Sequence, residues 1–327
     1  MTALLAPLEG LFALLSALRR GLYRAGLLRA QKLPVPVVVI GNINVGGVGK
    51  TPLTLSLLRQ FQAAGVPVGV ISRGYGGNHA APVLLSRGSL PKEVGDEPLL
   101  LAASGAPVAV GRDRVAAGRL LLARHPELRL ILTDDGLQHY RLARDLEIAV
   151  LDGRRGVGNG RLLPGGPLRE PVSRLRSVQA VVVNGGGAPA FASEPGMPPV
   201  FGMSLTPGRL HPLDLGTPSR PASAFSTLRV TAMAGIGHPE RFFDTLKALG
   251  IAPQRELAFP DHHDFSAADL PEDADAILVT AKDAVKLSAV IHDATQRARL
   301  WVLPVTARLE PDLADWILTQ LKIQHGR

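Results

Sequence analysis

The sequence contains no cysteine and few aromatic residues. Its 327 residues include three Tyr, two Trp and nine Phe. The absence of cysteine excludes disulfide bonds, thiolate zinc sites and a catalytic cysteine, and it is consistent with a reducing compartment. Any bound metal must then be held by oxygen or imidazole. Few rings are available for stacking on single strands, and no zinc-finger, RNP or basic-helix pattern occurs, so we expect no nucleic acid partner.

Acidic residues are also in the minority. The chain has 36 Lys and Arg against 28 Asp and Glu, a formal net charge of +8. This excess favours an anionic partner, but nucleic acid, an acidic membrane surface and a phosphorylated substrate all attract the same charge. The length predicts two domains, each large enough to bury a core.

No hydrophobic run near the N-terminus is long enough to span a membrane. The longest uncharged stretch there is Gly10–Leu18, whereas a spanning helix needs ~20 residues. Leucines recur at helical spacing from Leu4 to Leu22, and a basic cluster follows them, which is the wrong order for a secretory signal. We predict that residues 1–32 form an amphipathic helix in an anionic membrane interface. The alternative is a terminal helix packed on its own domain.

From Leu33 onward, short β-branched runs alternate with Leu- and Ala-rich segments of helical length, which is typical of α/β layering. The runs predicted as strands are Val35–Ile40, Val68–Ser72, Val108–Val110, Leu130–Leu132, Ile148–Asp152 and Val181–Asn184. A Gly- and Pro-rich passage at 185–220 lacks periodicity and marks a boundary. We therefore predict a first domain at 33–205, an extended linker at 206–228 and a smaller C-terminal α/β domain at 229–327.

A glycine-rich loop, GNINVGGVGKTP, joins the first predicted strand to a helical segment at Leu53–Ala64. In such a P-loop, glycines turn backbone N–H groups toward phosphate oxygens, a lysine reaches the β- and γ-phosphates, and a hydroxyl binds Mg²⁺. The predicted nucleotide-binding residues are Asn44, Val45, Gly46, Gly47, Val48, Gly49, Lys50 and Thr51. Asn44 replaces the first glycine of the pattern, and we expect it to tolerate a left-handed backbone. The alternative is that the segment is a plain turn between a strand and a helix. If it is a P-loop, the first domain is predicted to have an NTPase-type fold with a mostly parallel sheet.

Two adjacent carboxylates, Asp134 and Asp135, leave the end of the predicted strand Leu130–Leu132. P-loop proteins place the acid that holds Mg²⁺ at such a position. Gln138 and His139 follow at once and would supply polar groups suited to a sugar. The alternative is an Asp-Asp-Gly turn with solvated carboxylates.

Four further segments carry polar groups that the sequence alone leaves open. Asp96 precedes a helical stretch, and helix capping alone would explain it. The segment SRGYGG at 72–77 suits an anion or sugar site, or a simple turn. The segment PDHHDF at 260–265 suits a histidine oriented by a carboxylate better than a metal site. The segment at 161–171 carries a charged pair after a rigid turn, or is an exposed salt-bridged loop.

Taken together, the motifs resemble those of the tetraacyldisaccharide 4'-kinase family of lipid A biosynthesis. They occur in the order GNINVGGVGKTP, SRGYGG, VGDEP, DDGLQH, GGPLREP, GIGHPERFF, DHHDF and TAKDAVKL, and the resemblance spans essentially the whole chain. It implies that a P-loop domain and a smaller α/β domain close around ATP and Mg²⁺. The implied reaction transfers the ATP γ-phosphate to the 4'-hydroxyl of a tetraacylated glucosamine disaccharide 1-phosphate, giving lipid IVA at the cytoplasmic face of the bacterial inner membrane. No pattern indicates an obligate protein partner.

The resemblance also implies roles for individual residues. Lys50 and Thr51 match the phosphate and Mg²⁺ residues of the P-loop, while Asp134 and Asp135 match the metal-site and catalytic acids. Asp96 resembles the catalytic base, paired with His262 of the second domain. Substrate contacts or metal-site support are implied for Tyr75, Gln138, His139, Arg169 and Glu170. Two positions depart from the family pattern: Leu137 stands where the family usually has Phe, and Asn44 stands where it often has Ser or Thr. We expect these departures to affect the shape of the pocket rather than the reaction.

A second function class stays open from the residues alone. A P-loop ATPase that acts as a membrane-associated regulatory or partitioning switch would need no sugar site. ATP consumption that depends on an amphiphilic acceptor distinguishes the kinase from the switch.

Overall fold

The computed structural model describes residues 2–187, 194–214 and 218–324. Parts of the predicted boundary passage, residues 188–193 and 215–217, lie outside the described residues. The strands are, in chain order, β1 (Val37–Gly41), β2 (Val68–Ser72), β3 (Val83–Leu84), β4 (Val108–Val110), β5 (Leu130–Thr133), β6 (Leu146–Asp152), β7 (Ala180–Asn184), β8 (Val200–Pro207), β9 (His211–Pro212), β10 (Val230–Ala234), β11 (Arg255–Ala258), β12 (Ala276–Thr280), β13 (Leu300–Leu303) and β14 (Val305–Glu310).

The helices lie between these strands and at both ends of the chain. They are α1 (Thr2–Arg24), α2 (Lys50–Ala63), α3 (Pro91–Val94), α4 (Asp96–Ala102), α5 (Arg114–Arg124), α6 (Pro239–Ala248), α7 (Ala281–Val290), α8 (Ala294–Ala298) and α9 (Leu313–Leu321). Short 3-10 segments occur at Val172–Ser177, Ala222–Phe225 and Ala267–Asp269.

Two sheets organise the described part of the chain. The larger has nine strands in the order β14-β8-β7-β6-β1-β5-β2-β4-β3, and the smaller has five in the order β11-β10-β12-β13-β9. Pairing is parallel inside both sheets, and the antiparallel pairs lie at the edges, β14 with β8, β3 with β4 and β9 with β13. Because β1 and its neighbours β5 and β6 run in parallel, the loops after them meet at one edge of the larger sheet.

Apolar cores cover both faces of the larger sheet. In β1, Val38 and Ile40 pack in the core that contains the buried leucines of α2, whereas Val37 and Val39 pack in the core that contains Leu121 of α5. A strand covered on both faces needs apolar residues at every position, which explains its continuous hydrophobic run. The predicted α/β class, with a mostly parallel larger sheet and a smaller second sheet, is confirmed.

The end of the chain departs from the predicted domain range 229–327. Strand β14 pairs antiparallel with β8 in the larger sheet, and the Ser56 hydroxyl of α2 donates to the carbonyl of Ala307 at 2.8 Å. Ile317 and Leu318 of α9 pack in the core beside α2. The range is therefore wrong at its C-terminal end, because an edge strand and an apolar helix face complete the larger domain. No local pattern tells a strand which sheet to join.

The segment that connects the two sheets is also shorter than the predicted linker, residues 206–228. Strand β8 extends through the predicted boundary at 205, and β9 inside that range pairs with β13 of the smaller sheet. The chain thus passes from the larger to the smaller sheet between Pro207 and His211. It returns between Leu303 and Val305.

Helix α1 is attached to the larger domain by its polar residues. The carboxylate of Glu9 accepts hydrogen bonds from Arg161 Nε at 2.9 Å and from the backbone N–H of Leu162 at 3.0 Å. The exposed large side chains of this helix form an apolar face, hereafter the leucine face: Leu8, Leu11, Leu14, Leu15 and Leu18. A helix packed on its domain through that face would have buried these leucines. None of the described helices is long and apolar enough to cross a membrane.

Candidate active site

The glycine-rich loop after β1 has the conformation that its glycines allow. Gly46 and Gly49 have φ of +96° and +95°, and α2 begins directly after them at Lys50. A Cβ atom at Gly49 would lie 2.5 Å from the Asn184 side-chain nitrogen, so this position has no space for a side chain. The loop therefore presents backbone N–H groups and a helix N-terminus at the same place.

The backbone of Asn44 is not left-handed, so the loop closes without the tolerance that we expected of this residue. Positive φ in this loop occurs at the glycines, and Asn44 is instead buried, with its side-chain amide donating to the carbonyl of Gly156 at 2.9 Å. Asn44 also forms a β-bridge with Leu168. It thus connects the loop to neighbouring segments, a role that the motif pattern does not encode.

Lys50 reaches the acidic end of β5. Its ammonium nitrogen lies 3.2 Å from Asn42 Oδ1 and 3.5 Å from Asp135 Oδ1. Arg169 Nη1 lies 3.3 Å from the other oxygen of Asp135. Although burial acts to raise the pKa of Asp135, these two cations outweigh it and hold the pKa below its ordinary value. Asp135 is therefore an ionised and already paired carboxylate.

Asp134, its neighbour, is in the opposite situation. It is 1% exposed, and neither carboxylate oxygen has a hydrogen-bond partner among the described residues. Burial and the negative charge of Glu97 raise the pKa of Asp134 to about 7, against the opposing charge of Lys50. A buried carboxylate without partners is costly, and a bound cation would satisfy it. The described residues contain no cluster of three or more His, Asp or Glu that could hold a metal by itself.

Asp96 and His262 meet across the two domains although they are 166 positions apart. Asp96 is the first residue of α4, after an N-cap at Gly95, and its Oδ1 accepts the backbone N–H of Glu97 at 2.9 Å. Its Oδ2 lies 3.2 Å from His262 Nδ1. His262 has a left-handed backbone with φ of +63°, and the ring of Tyr75 lies against it with centroids 4.9 Å apart.

This contact perturbs both partners in opposite directions. Burial acts to raise the pKa of Asp96, but the hydrogen bond from His262 and the charge of Lys282 outweigh it and lower the pKa. The hydrogen bond to Asp96 raises the pKa of His262 despite its partial burial. Within the PDHHDF segment, a carboxylate from the other domain therefore orients the histidine.

The predicted substrate residues fall into two groups. Tyr75 and Arg169 line the cleft between the domains, whereas Gln138, His139 and Glu170 are absent from its lining. The Gln138 amide donates to Glu170 Oε2 at 2.9 Å, and the Tyr140 hydroxyl donates to Glu170 Oε1. Arg20 of α1 lies 3.7 Å from the same carboxylate. These side chains thus connect the site to α1.

His139 lies in a positively charged surrounding. Burial, together with the charges of Arg114 and Arg144, lowers the pKa of His139 to about 4. Its imidazole is therefore neutral at physiological pH and can hydrogen-bond without adding charge.

The cleft between the two domains has a volume of about 640 Å³. Its lining joins the P-loop residues 46–51 to His262 and to the start of α6. The smaller domain comes close to the loop, since a Cβ atom at Gly237 would lie 3.5 Å from the backbone nitrogen of Gly47. A phosphate chain held by the loop would therefore share the cleft with His262, the histidine that Asp96 orients. This arrangement suits transfer of a phosphoryl group to an acceptor hydroxyl.

The chain is similar to known proteins over nearly its whole length. The model of the tetraacyldisaccharide-1-P 4'-kinase family matches residues 1–322. The chain belongs to this family. It is 68% identical over 327 residues to a tetraacyldisaccharide 4'-kinase of Chromobacterium violaceum, covering 100% of this chain and 96% of that protein. It is 49% identical over 328 residues to the enzyme of the same name from Neisseria meningitidis, covering 98% and 92%.

A solved structure of a family member has the same fold. The LpxK of Aquifex aeolicus, crystallised in complex with ATP, superposes with a TM-score of 0.80 at 31% sequence identity, covering 98% of this chain and 99% of that one. The resemblance inferred from the motifs and the P-loop kinase fold that it implied are both confirmed. The roles of individual residues stay predictions.

Several residues of this 4'-kinase family member were not predicted but lie at the domain interface. Arg241 of α6 forms an ion pair of 2.6 Å with the buried Asp152 at the end of β6, and Arg155 Nη1 lies 2.7 Å from His238 Nε2. Lys282 of α7 contacts Glu97 of α4. The GIGHPERFF motif contains Arg241 and His238, and the TAKDAVKL motif contains Lys282. Membership of these motifs is the sequence feature that could have identified them as interface residues.

Proposed function

We propose that this chain is a kinase that transfers the γ-phosphate of ATP to the 4'-hydroxyl of tetraacyldisaccharide 1-phosphate. The observation that carries the proposal is the shared cleft, which Lys50 of the P-loop and His262 of the Asp96–His262 pair both line. Family membership supplies the acceptor, since the relatives are named for this reaction.

ATP would bind with its phosphates on the P-loop backbone and Lys50. The two unpartnered oxygens of Asp134 fit a cation, and Thr51 lines the cleft at the start of α2. We assign Mg²⁺ to Thr51 and Asp134 rather than to Asp135, because Lys50 and Arg169 already neutralise Asp135. The ion, when bound, neutralises charge that develops on the transferred phosphoryl group.

The Asp96–His262 pair would receive the acceptor proton. Asp96 is ionised and buried, and His262 holds one of its oxygens in place. Phosphoryl transfer passes through a loose transition state, so alignment of the sugar hydroxyl matters more than its full deprotonation. Tyr75, which lies against His262 and is 62% exposed, and Arg169 are placed to contact the sugar or its phosphate.

An acceptor with four acyl chains stays in a bilayer, so the enzyme must reach it there. The leucine face of α1, followed by a basic cluster, suits reversible binding to an anionic membrane surface. We therefore place the protein peripherally at the cytoplasmic face of the bacterial inner membrane. Glu170, which is buried beside Arg20 of α1, connects that helix to the site.

The test is transfer of label from γ-labelled ATP to tetraacyldisaccharide 1-phosphate in mixed micelles, with the product separated by chromatography. We expect labelled lipid with the wild type and none with Lys50→Ala. A lipid lacking the free 4'-hydroxyl is the matched control and should remain unlabelled. ATP hydrolysis that proceeds equally without acceptor, with no labelled lipid, would favour the ATPase switch and refute the kinase.

A further inference from the structure

Lys282 is a charged residue at the contact between the two domains, and the proposed reaction gives it no role so far. It lies in the first turn of α7, and its side chain is 16% exposed. Its ammonium nitrogen lies 3.1 Å from Asp261 Oδ1, 3.2 Å from Glu97 Oε1 and 3.8 Å from Asp96 Oδ2. Two of these carboxylates belong to the larger domain and one to the smaller, so this cation forms ion pairs across the cleft.

The stability of α7 does not explain a lysine at this position. The N-terminus of a helix carries a positive partial charge, which disfavours a nearby cation and favours nearby anions. Lys286, one turn further along, pairs at 2.9 Å with Asp283 of its own helix. Lys282 has no such partner on α7 and instead contacts Asp96 and Glu97, the first two residues of α4. Its placement therefore serves the contact between the two helix ends.

Lys282 and His262 act on the same oxygen of Asp96. Oδ2 lies 3.2 Å from His262 Nδ1 and 3.8 Å from Lys282 Nζ. The charge of Lys282 contributes to lowering the pKa of Asp96, and it also opposes the raised pKa of His262. The carboxylates around Lys282 outweigh its burial and raise its own pKa, so it stays protonated. The charged groups that act on Asp96 or on its two partners are His262 and Asp261 from the 260–265 segment, Lys282 and Lys286 from α7, and Glu97 from α4.

We infer that Lys282 is a positioning residue that holds the Asp96–His262 pair aligned only while the two domains are in contact. This inference rests on the proposed function, because it assigns Lys282 a part in activating the acceptor hydroxyl. Separation of the domains takes Lys282 away from Asp96 and Glu97 together with His262. The acceptor-activating pair is therefore complete in the contacted arrangement alone.

Two substitutions and a matched control test this role. Lys282→Met removes the charge and keeps an unbranched side chain, while Lys282→Arg keeps the charge. Lys247→Met is the control, because Lys247 is an exposed lysine that pairs at 2.7 Å with Glu256 inside the smaller domain. We expect Lys282→Met to lower kcat on the order of 10²-fold, the cost of misplacing an aligned group by about 1 Å. KM for ATP should change little, Lys282→Arg should retain more activity, and Lys247→Met should match the wild type.

The pH profile separates positioning from simple stabilisation. Without Lys282 the acid limb of kcat should move to higher pH, because loss of the cation makes protonation of the pair easier. A merely structural ion pair would lower the amount of folded enzyme and leave the limb in place. An unmoved limb in Lys282→Met, or Lys282→Arg no more active than Lys282→Met, overturns the inference.

A second measurement does not depend on turnover. NMR titration of the His262 imidazole in the full-length protein should give a higher midpoint in Lys282→Met than in the wild type and in Lys247→Met. An identical midpoint refutes the electrostatic coupling even if activity falls. Failure of the wild type to label the lipid acceptor refutes the proposed function and with it the positioning role of Lys282 in transfer, whereas an identical His262 midpoint refutes the role of Lys282 alone, so the two failures are distinguishable.

Discussion

Asp96→Asn and His262→Ala should impair the enzyme as one unit. Asparagine preserves the shape of the 5% exposed aspartate but cannot take a proton, whereas alanine removes the group that holds Asp96 Oδ2 at 3.2 Å. Loss of positioned acid–base catalysis costs on the order of 10²–10⁴-fold in rate. At about 1.36 kcal/mol per factor of ten, each variant loses about 2.7–5.4 kcal/mol of transition-state stabilisation.

The double variant decides whether the two residues act together. Independent effects would multiply to about 10⁴–10⁸-fold, whereas partners in one unit are non-additive, so the double variant should be little worse than the poorer single one. Transfer rates of the wild type, the two single variants and the double variant at saturating ATP give the double-mutant cycle. Calorimetry should show nearly unchanged ATP affinity because the phosphate loop is intact. His263→Ala is the matched control, since His263 is 28% exposed against 29% for His262 and pairs with Asp269 inside the smaller domain.

The protonation of the Asp96–His262 pair determines the direction in which activity changes with pH. The pKa of His262 is raised by Asp96, so the pair holds one proton until the pH rises through that raised value. Activity should therefore increase with pH there, as the pair becomes able to accept the hydroxyl proton. His262→Ala removes this step and should move the acid limb to lower pH. Multiplying effects in the double variant would refute the pairing, and lost ATP binding in either single variant would place that residue at the nucleotide instead.

Three further predictions concern the phosphate loop, the cation and the membrane. Lys50→Ala should melt like the wild type yet transfer no phosphate, because the phosphates lose their lysine; normal turnover of the folded variant would contradict this. Asp134→Asn should raise the Mg²⁺ concentration for half-maximal rate by about 10- to 100-fold, which a Mg²⁺ titration measures, and an unchanged requirement would exclude Asp134 from the cation site. Removal of residues 1–30 should release the protein from anionic vesicles in co-sedimentation. Replacement of Arg19, Arg20 and Arg24 with Gln should weaken binding to anionic vesicles at low salt and flatten its salt dependence. Unchanged binding would favour a helix packed on its own domain.

The local parts of this structure could be predicted from sequence. The P-loop is a contiguous segment whose glycines, lysine and following helix each have a local physical requirement. Strands β1, β2 and β4 to β7 contain apolar runs because both of their faces are covered, whereas the two-residue edge strand β3 was not predicted. The adjacency of Asp134 and Asp135 likewise places both at the end of β5. The difference between their charged surroundings was not predictable, because it depends on Lys50 and Arg169 pairing with one carboxylate and not the other.

The long-range parts could not be predicted in the same way. Residue spacing gives no reason for Asp96 to meet His262, and that expectation came from the family resemblance alone. The return of β14 to the larger sheet was missed, because an alternating edge strand carries no signal for its partner. Lys282 was missed because a lysine in a helical pattern is ordinarily solvated, and only the approach of α4 identifies its partners.

The two crossings of the chain place the connection between the domains at one side of the cleft. The backbone N–H of Gly208 donates to the carbonyl of Pro304 at 2.9 Å, so the outgoing and returning segments are hydrogen-bonded to each other. Leu303 and Val305, on either side of Pro304, line the cleft, and the ion pair between Arg241 and Asp152 joins its two walls. Separation of the walls can therefore preserve the crossings while it breaks the side-chain contacts. Because Asp96 and His262 belong to different domains, their pair is complete only while the two walls are in contact.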